Sequence, residues 1–291
     1  YSDRITIISD NAAYISFTYR TYNDANIVVT SAEAMSITTH KIDDMENTHI
    51  AGCNRNVKSI NHRGFNRDAP ENTLPAFKLS RANGFEYVET DIDFTSDGVA
   101  VLLHDGTINR TARNADGTAI DGTIRITDIT YEQALTYDFG IWKGEKFAGT
   151  KIPTFEEFLV LCRNIGLKPY VEIKDTSAPN IGLKIAELVD IAKRCGMDKN
   201  VTWISFDKSY LSIVKNKDAN ARLGLVKGMM DQAVLDEAIT LKTTTNEVFV
   251  DTSSIDTTMI DSYVEAGIGL ETWTINYESD IKALDPYVTG V

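Results

Sequence analysis

The chain has 291 residues, 43% hydrophobic and 24% charged, which suits one large folded domain, alone or with a small one beside it. Lys and Arg number 29 against 42 Asp and Glu, for a net charge of -13. That surface does not attract nucleic acid or anionic membranes, so a phosphate-bearing ligand needs local positive charge. No apolar run approaches the ~20 residues that span a bilayer, and no signal peptide is visible. Cys53, Cys162 and Cys195 are odd in number and widely spaced. They read as free thiols rather than a disulfide framework or a zinc motif.

Residues 1–50 differ from the rest. Tyr14 to Arg20 alternates polar and apolar residues as a half-buried strand does, and Arg4 to Ser9 and Ile27 to Thr30 are further short β-branched runs. This predicts a small β-rich accessory segment. About 50 residues are few for an independent core. The segment is therefore expected to be the end of a larger module, or to pack on the main domain or on another chain, which would allow self-association. The first residue, Tyr1, is not Met, as expected of a processed product or a fragment. Asp43 to Asn54 reads as a polar linker. His40 and His49, before the main domain, read as structural.

From residue 57 to 291 the pattern becomes strand, then helix, repeatedly. Predicted strands are Lys58–Asn61, Tyr87–Asp91, Pro169–Ile173, Val201–Ser205, Arg222–Val226, Val248–Asp251, Gly269–Thr274 and Tyr287–Val291. Between Ile181 and Cys195 the residues Ile181, Ile185, Leu188, Val189 and Ala192 make one helical stripe, and Gly196 stops it. Such alternation predicts an α/β fold, a (β/α)8 TIM barrel. Val99–Leu103, after Asp97-Gly98, is expected to fold back antiparallel from the second strand. Residues 106–150 are too long for an ordinary connection. With Tyr137, Phe139 and Trp142 they read as an insertion near the barrel mouth, shaping a pocket for the organic part of a substrate.

Chemistry in such barrels sits at the C-terminal strand ends. Asn61-His62-Arg63-Gly64 ends the first strand. Glu89 and Asp91, two apart, end the second and point to one face. At ~4 Å and an effective dielectric of about 20 their repulsion is roughly 4 kcal/mol, which a shared proton or a cation would relieve. Glu172 and Lys174 end the third, His104 ends the hairpin strand, and Trp273 the seventh. Asp93 shares the face of the acidic pair and is expected to be exposed. Glu71 and Asn72 are expected to fix the loop after the first strand, and Phe206 to be core.

The ordered motifs H-R-G (His62–Gly64), P-E-N-T (Pro70–Thr73), E-T-D (Glu89–Asp91), T-S-D-G (Thr95–Gly98), L-H-D (Leu103–Asp105), N-R-T (Asn109–Thr111), V-E-I-K (Val171–Lys174) and W-T-I-N (Trp273–Asn276) resemble those of the glycerophosphodiester phosphodiesterases. The resemblance covers about residues 60–291. It implies hydrolysis of a glycerophosphodiester to sn-glycerol 3-phosphate and an alcohol. It implies one divalent cation, Ca²⁺ or Mg²⁺, on Glu89, Asp91 and Glu172, whose oxygen ligands suit hard ions. Arg63 and Lys174 would then hold the phosphate, His62 and His104 form a general acid–base pair, and Trp273 face the substrate. The substrates left open are a small diester such as glycerophosphocholine and a glycerol-phosphate polymer such as teichoic acid. The β-rich segment favours the polymer and an extracellular, cell-surface or phage-tail setting, because enzymes of surfaces often carry such modules. The competing readings are a sphingomyelinase D or lysophospholipase-type barrel and a non-catalytic surface-binding barrel.

Overall fold

A computed structural model describes residues 58–174, 176–275 and 288–290. The expected β-rich segment, the linker with Cys53, and His40 and His49 lie outside the described residues.

Seven parallel strands form the curled sheet: β1 (Ile60–Asn61), β2 (Tyr87–Phe94), β4 (Lys168–Ile173), β5 (Thr202–Ser205), β6 (Arg222–Lys227), β7 (Val248–Thr252) and β8 (Gly269–Thr272). The remaining strand, β3 (Ala100–Leu102), pairs antiparallel with β2, Ile92 opposite Leu102, across the Asp97-Gly98 turn. The last staves meet through residues 288–290. Gly290 bridges both Glu271 and Lys58 in parallel. Lys58 N–H donates to the Thr289 carbonyl at 2.9 Å, and Thr289 N–H to that of Leu270 at 2.8 Å. The ring is thereby closed, and an α/β (β/α)8 barrel results, as the strand pattern predicted.

Helices return the chain between strands: α1 (Leu74–Ala82), α2 (Tyr131–Ala134), α3 (Phe155–Ile165), α4 (Ile181–Arg194), α5 (Lys208–Lys217), α6 (Gln232–Leu241) and α7 (Ile260–Glu265). Their limits follow local chemistry. Thr154 and Glu157 form a reciprocal capping box at the start of α3, and Gly166 ends that helix at φ +74°. In α4 the buried residues are Ile185, Leu188, Val189 and Ala192, four of the five on the expected stripe.

Three apolar layers result. The largest lies between sheet and helices and includes Phe77, Phe158, Val171, Leu223 and Val250. A second fills the barrel itself, from Tyr170, Ile204, Val226 and Phe249. Gly224 makes room there: a Cβ on it would run into the Phe249 ring and come within 2.8 Å of Ile204 Cγ2. Below the mouth, Arg222 joins Glu271 at 2.6 Å and the Tyr170 hydroxyl at 2.7 Å, with its guanidinium 4.3 Å above the Phe249 ring.

The third layer corrects an expectation. Residues 106–150 close on a core of their own, from Val101, Leu103, Ile108, Ile126, Phe139 and Ile152. Phe139 is buried, and Trp142 Nε1–H is tied to the Phe139 carbonyl. Among the described residues none of this insertion lines the main cleft. It has enough apolar residues to fold on itself, so it braces the site rather than walling it.

Candidate active site

Strand register sets the acidic centre. Parallel pairing puts Asp91 of β2 level with Glu172 of β4, with Glu89 two residues below on the same face. One oxygen from each of Glu89, Asp91 and Glu172 can be chosen so that all lie within 4.8 Å of one another. Glu89 and Asp91 are buried, Asp91 wholly, and Glu172 is nearly so. Burial and the charges of Asp91 and Glu172 push the Glu89 carboxyl well above the usual carboxylate range. Burial and the Asp91 charge likewise raise Glu172.

Cations and donors offset part of this repulsion. Lys174 Nζ lies 2.9 Å from Glu172 Oε1 and 3.7 Å from Asp91 Oδ1. Burial pulls its ammonium down, but Glu172 and Asp91 outweigh that and hold it above its usual value. Arg63 Nε is 3.4 Å from Asp91 Oδ2, and the Arg63 main-chain N–H donates to Glu89 Oε2 at 2.9 Å. Asn72, also buried, donates to Asp91 Oδ2 at 2.8 Å. Glu89 Oε1 and Asp91 Oδ1 remain buried without a hydrogen-bond partner. Two orphaned oxygens among three convergent carboxylates fit a hard divalent cation.

The loop after β1 is shaped to deliver these groups. Arg63 and Asn72 both adopt left-handed backbone, φ +54°, which costs non-glycine residues of order 1–3 kcal/mol and clusters at functional sites. The next residue, Gly64, at φ +71°, packs so close to α1 that a Cβ would sit 2.9 Å from that of Ala76. This gives the H-R-G motif its glycine.

The two histidines reach the same rim by different routes. His62 Nε2 is 3.9 Å from Glu89 Oε2. Burial and Arg63 hold its imidazole down at about 4, against the pull of Asp91 and Glu71. His104 is set by the hairpin: Leu103 N–H donates to the Asp91 carbonyl at 3.1 Å. The charge of His104 is felt at both His62 and Glu172. Its Nδ1 lies 2.7 Å from Asp105 Oδ1.

A relay of ion pairs then joins the two halves of the mouth. Arg110, from the insertion, holds Asp105 through Nε at 2.6 Å and both oxygens of Glu71 at 2.7 and 2.8 Å. Glu71 in turn takes Arg63 Nη1 at 3.0 Å. Burial would raise Glu71, but Arg110 and Arg63 keep it below its ordinary value.

A cleft of about 410 Å³ opens beside the carboxylates. Its walls include His62, Phe65, Asn66, Arg67, Glu89, Asp251 and Trp273. The structure therefore brings all eight sequence-predicted site residues to one rim: His62, His104, Glu89, Asp91, Glu172, Arg63, Lys174 and Trp273. Two neighbouring expectations need correction. Asp93 is buried at 5% exposure, because Thr176 Oγ1 donates to it at 2.6 Å. Phe206 is not core; it is 48% exposed and meets Trp273 edge-on, ring centres 5.8 Å apart. Sequence reasoning passed over Asp251 and the Arg110–Asp105 pair. The pair was visible in the N-R-T and L-H-D motifs, while Asp251 showed only as a charge closing an apolar strand.

An acidic centre flanked by two imidazoles and two cations, at the C-terminal rim of a (β/α)8 barrel, places the protein among the phosphoric diester hydrolases. The chain belongs to the glycerophosphoryl diester phosphodiesterase family, whose model matches residues 62–291. It is similar to the glycerophosphodiester phosphodiesterase of Caldanaerobacter subterraneus subsp. tengcongensis, 29% identical over 230 residues, spanning 77% of this chain and 88% of that protein. Human glycerophosphodiester phosphodiesterase 1 is 41% identical over 120 residues, which are 40% of this chain and 34% of that protein. Among solved structures, an Oleispira antarctica phosphodiesterase in complex with the product sn-glycerol-3-phosphate aligns at a TM-score of 0.71 and 25% identity, over 80% of this chain and 91% of that one. A glycerophosphoryl diester phosphodiesterase fold from Silicibacter pomeroyi aligns at 0.70 and 21% identity, over 81% of this chain and 89% of that one.

Proposed function

We propose that the chain hydrolyses glycerophosphodiesters to sn-glycerol 3-phosphate and an alcohol, with a divalent cation, Ca²⁺ or Mg²⁺, held by Glu89, Asp91 and Glu172. The observation that carries this reading is the convergence of those three carboxylates within 4.8 Å, with His62 and His104 beside them. The bound ion would lower the pKa of a neighbouring hydroxyl and neutralise charge at phosphorus.

The chain's own groups supply the rest. Arg63 and Lys174, now paired with Asp91 and Glu172, would be free to hold the phosphate oxygens were those carboxylates ligands of a cation. The attacker is the substrate's own hydroxyl next to the phosphate, so a cyclic phosphate forms first and water opens it. Asp105, 2.7 Å from His104 Nδ1, orients that ring. His104 is assigned the transfer of a proton to the leaving alkoxide. His62, beside the fixed charge of Arg63, takes the proton of the attacking hydroxyl. Opening of the ring reverses the two roles.

One assay panel tests this. Purified protein receives glycerophosphocholine, glycerophosphoethanolamine and polyglycerol phosphate, with and without EDTA, beside His62→Ala. Turnover of the small diesters that EDTA abolishes supports the reading. Turnover indifferent to EDTA removes the cation. Cleavage of polyglycerol phosphate alone would make the polymer the substrate.

A further inference from the structure

Strand β7 carries V-F-V-D-T. Val248 and Val250 face the helices and join the outer core, while Phe249 fills the barrel. Period two then turns Asp251 inward, one layer above Phe249, at the mouth. It stands level with Glu271 of β8 and Val226 of β6. It lines the cleft that also holds His62, Glu89 and Trp273.

Asp251, half-buried itself, is unlike the other carboxylates that face into the barrel. Glu89 takes the Arg63 N–H, Asp91 takes Asn72, Glu172 takes Lys174 and Glu271 takes Arg222. The buried Oδ1 of Asp251 has no hydrogen-bond partner, and among the described residues no cation pairs with it. Such a group is costly unless something supplies the missing bond. No structural partner does so here, and the residue lines the substrate cleft.

We infer that Asp251 reads the glycerol half of the substrate, its carboxyl group hydrogen-bonding the terminal hydroxyl, the one remote from phosphorus. The inference rests on the phosphodiesterase reading of the cleft and adds the residue that sets its preference for glycerol esters. The chemistry of the group agrees. Burial, then the charges of Glu271 and Glu172, push Asp251 up to about 8. In its neutral form it offers one O–H donor and one carbonyl acceptor. That pair matches a hydroxyl, and it does not repel the phosphate as a fourth anion would. Beside it, Trp273 gives the carbon chain an apolar wall; its Nε1–H is tied to the Asp251 main-chain carbonyl at 3.2 Å.

The test compares two esters of phosphocholine. One is glycerophosphocholine. The other is the propane-1,2-diol ester, which keeps the hydroxyl next to the phosphate and lacks the terminal one. The readout is the ratio of kcat/KM values within each enzyme, which cancels any loss of folded protein. Wild type should prefer the glycerol ester by roughly 10–100-fold, since a site built to bond a hydroxyl discriminates against its absence. Asp251→Ala should bring the ratio to within about threefold of one, and Asp251→Asn, which still donates and accepts, should keep most of it. The inference is overturned if wild type shows no preference, or if Asp251→Ala keeps the wild-type ratio. It is also overturned if the loss in Asp251→Ala differs between choline and ethanolamine esters, because Asp251 would then read the alcohol. A wild type that cleaves neither ester with Ca²⁺ or Mg²⁺ overturns the proposed function itself, before any variant is made.

Discussion

Replacing Asp105 by Asn isolates the partner of His104 while keeping its size. The wild-type carboxyl is boxed by His104 Nδ1 at 2.7 Å and by Arg110 at 2.6 and 3.2 Å. Burial works to raise it, yet the bonds from Arg110 and His104 bring it down to about 2 from an ordinary 3.8. A carboxyl held below its unfolded value stabilises the fold above that value and loses the contribution as pH falls through about 2. The gap converts to ~2.4 kcal/mol at most. Asp105 is 28% exposed, so solvent screening reduces this to about 1 kcal/mol. Urea unfolding of wild type and Asp105→Asn, with EDTA throughout, should show that deficit at pH 7 and its disappearance near pH 2. A deficit of equal size at both pH values would refute an ionised Asp105. In the same variant His104 loses the carboxylate that orients its ring, and kcat should fall roughly 10–100-fold, less than the ~10²–10⁴ that loss of the transfer itself costs.

Divalent cation should raise the melting temperature of wild type by roughly 5–10 °C when present at ~100 times its Kd, from about 2.7 kcal/mol of linkage. Glu172→Gln should abolish that rise in a thermal-shift titration with Ca²⁺ or Mg²⁺. His62→Ala and His104→Ala should each lower kcat by about 10²–10⁴ while melting within a few degrees of wild type; retention of full turnover by either would remove it from the reaction. Gly224→Ala forces a methyl against Phe249 and Ile204, an overpacking worth ~1–3 kcal/mol. It should lower the melting temperature by roughly 3–10 °C, measured by circular dichroism.

What could be read from the sequence followed from short-range rules. Period two in Glu89–Asp91 and Glu172–Lys174 fixed which face those groups share, because a strand leaves no other choice. The α4 stripe and its glycine stop came from helix geometry in the same way. The expectations that failed depended on neighbours distant in the chain. Asp93 looked like a free acid at a strand end, and the approach of Thr176, 83 residues on, joins the local Phe94 N–H in making its burial tolerable. The aromatic residues of 106–150 suggested a pocket wall, but nothing local announces that Val101, Leu103 and Ile152 from outside the segment complete a second core with it. Phe206 follows a buried strand, and its exposure is decided by Trp273, which lies on another stave.

Charge is distributed unevenly around the mouth, and that asymmetry gives the cleft a direction. On the β1–β4 side, Arg63, Lys174 and Arg110 stand against Glu71, Glu89, Asp91, Asp105 and Glu172 in a network whose members contact one another. A dication there would offset the excess of two carboxylates over cationic side chains. The β7 side has Asp251 and the Trp273 face, with no paired cation among the described residues. The cationic groups that could take a phosphate thus all lie on the first side, and the uncharged end of a substrate is left to the other. On the proposed function, that polarity would turn the phosphate toward the β1–β4 side before any base or acid acts.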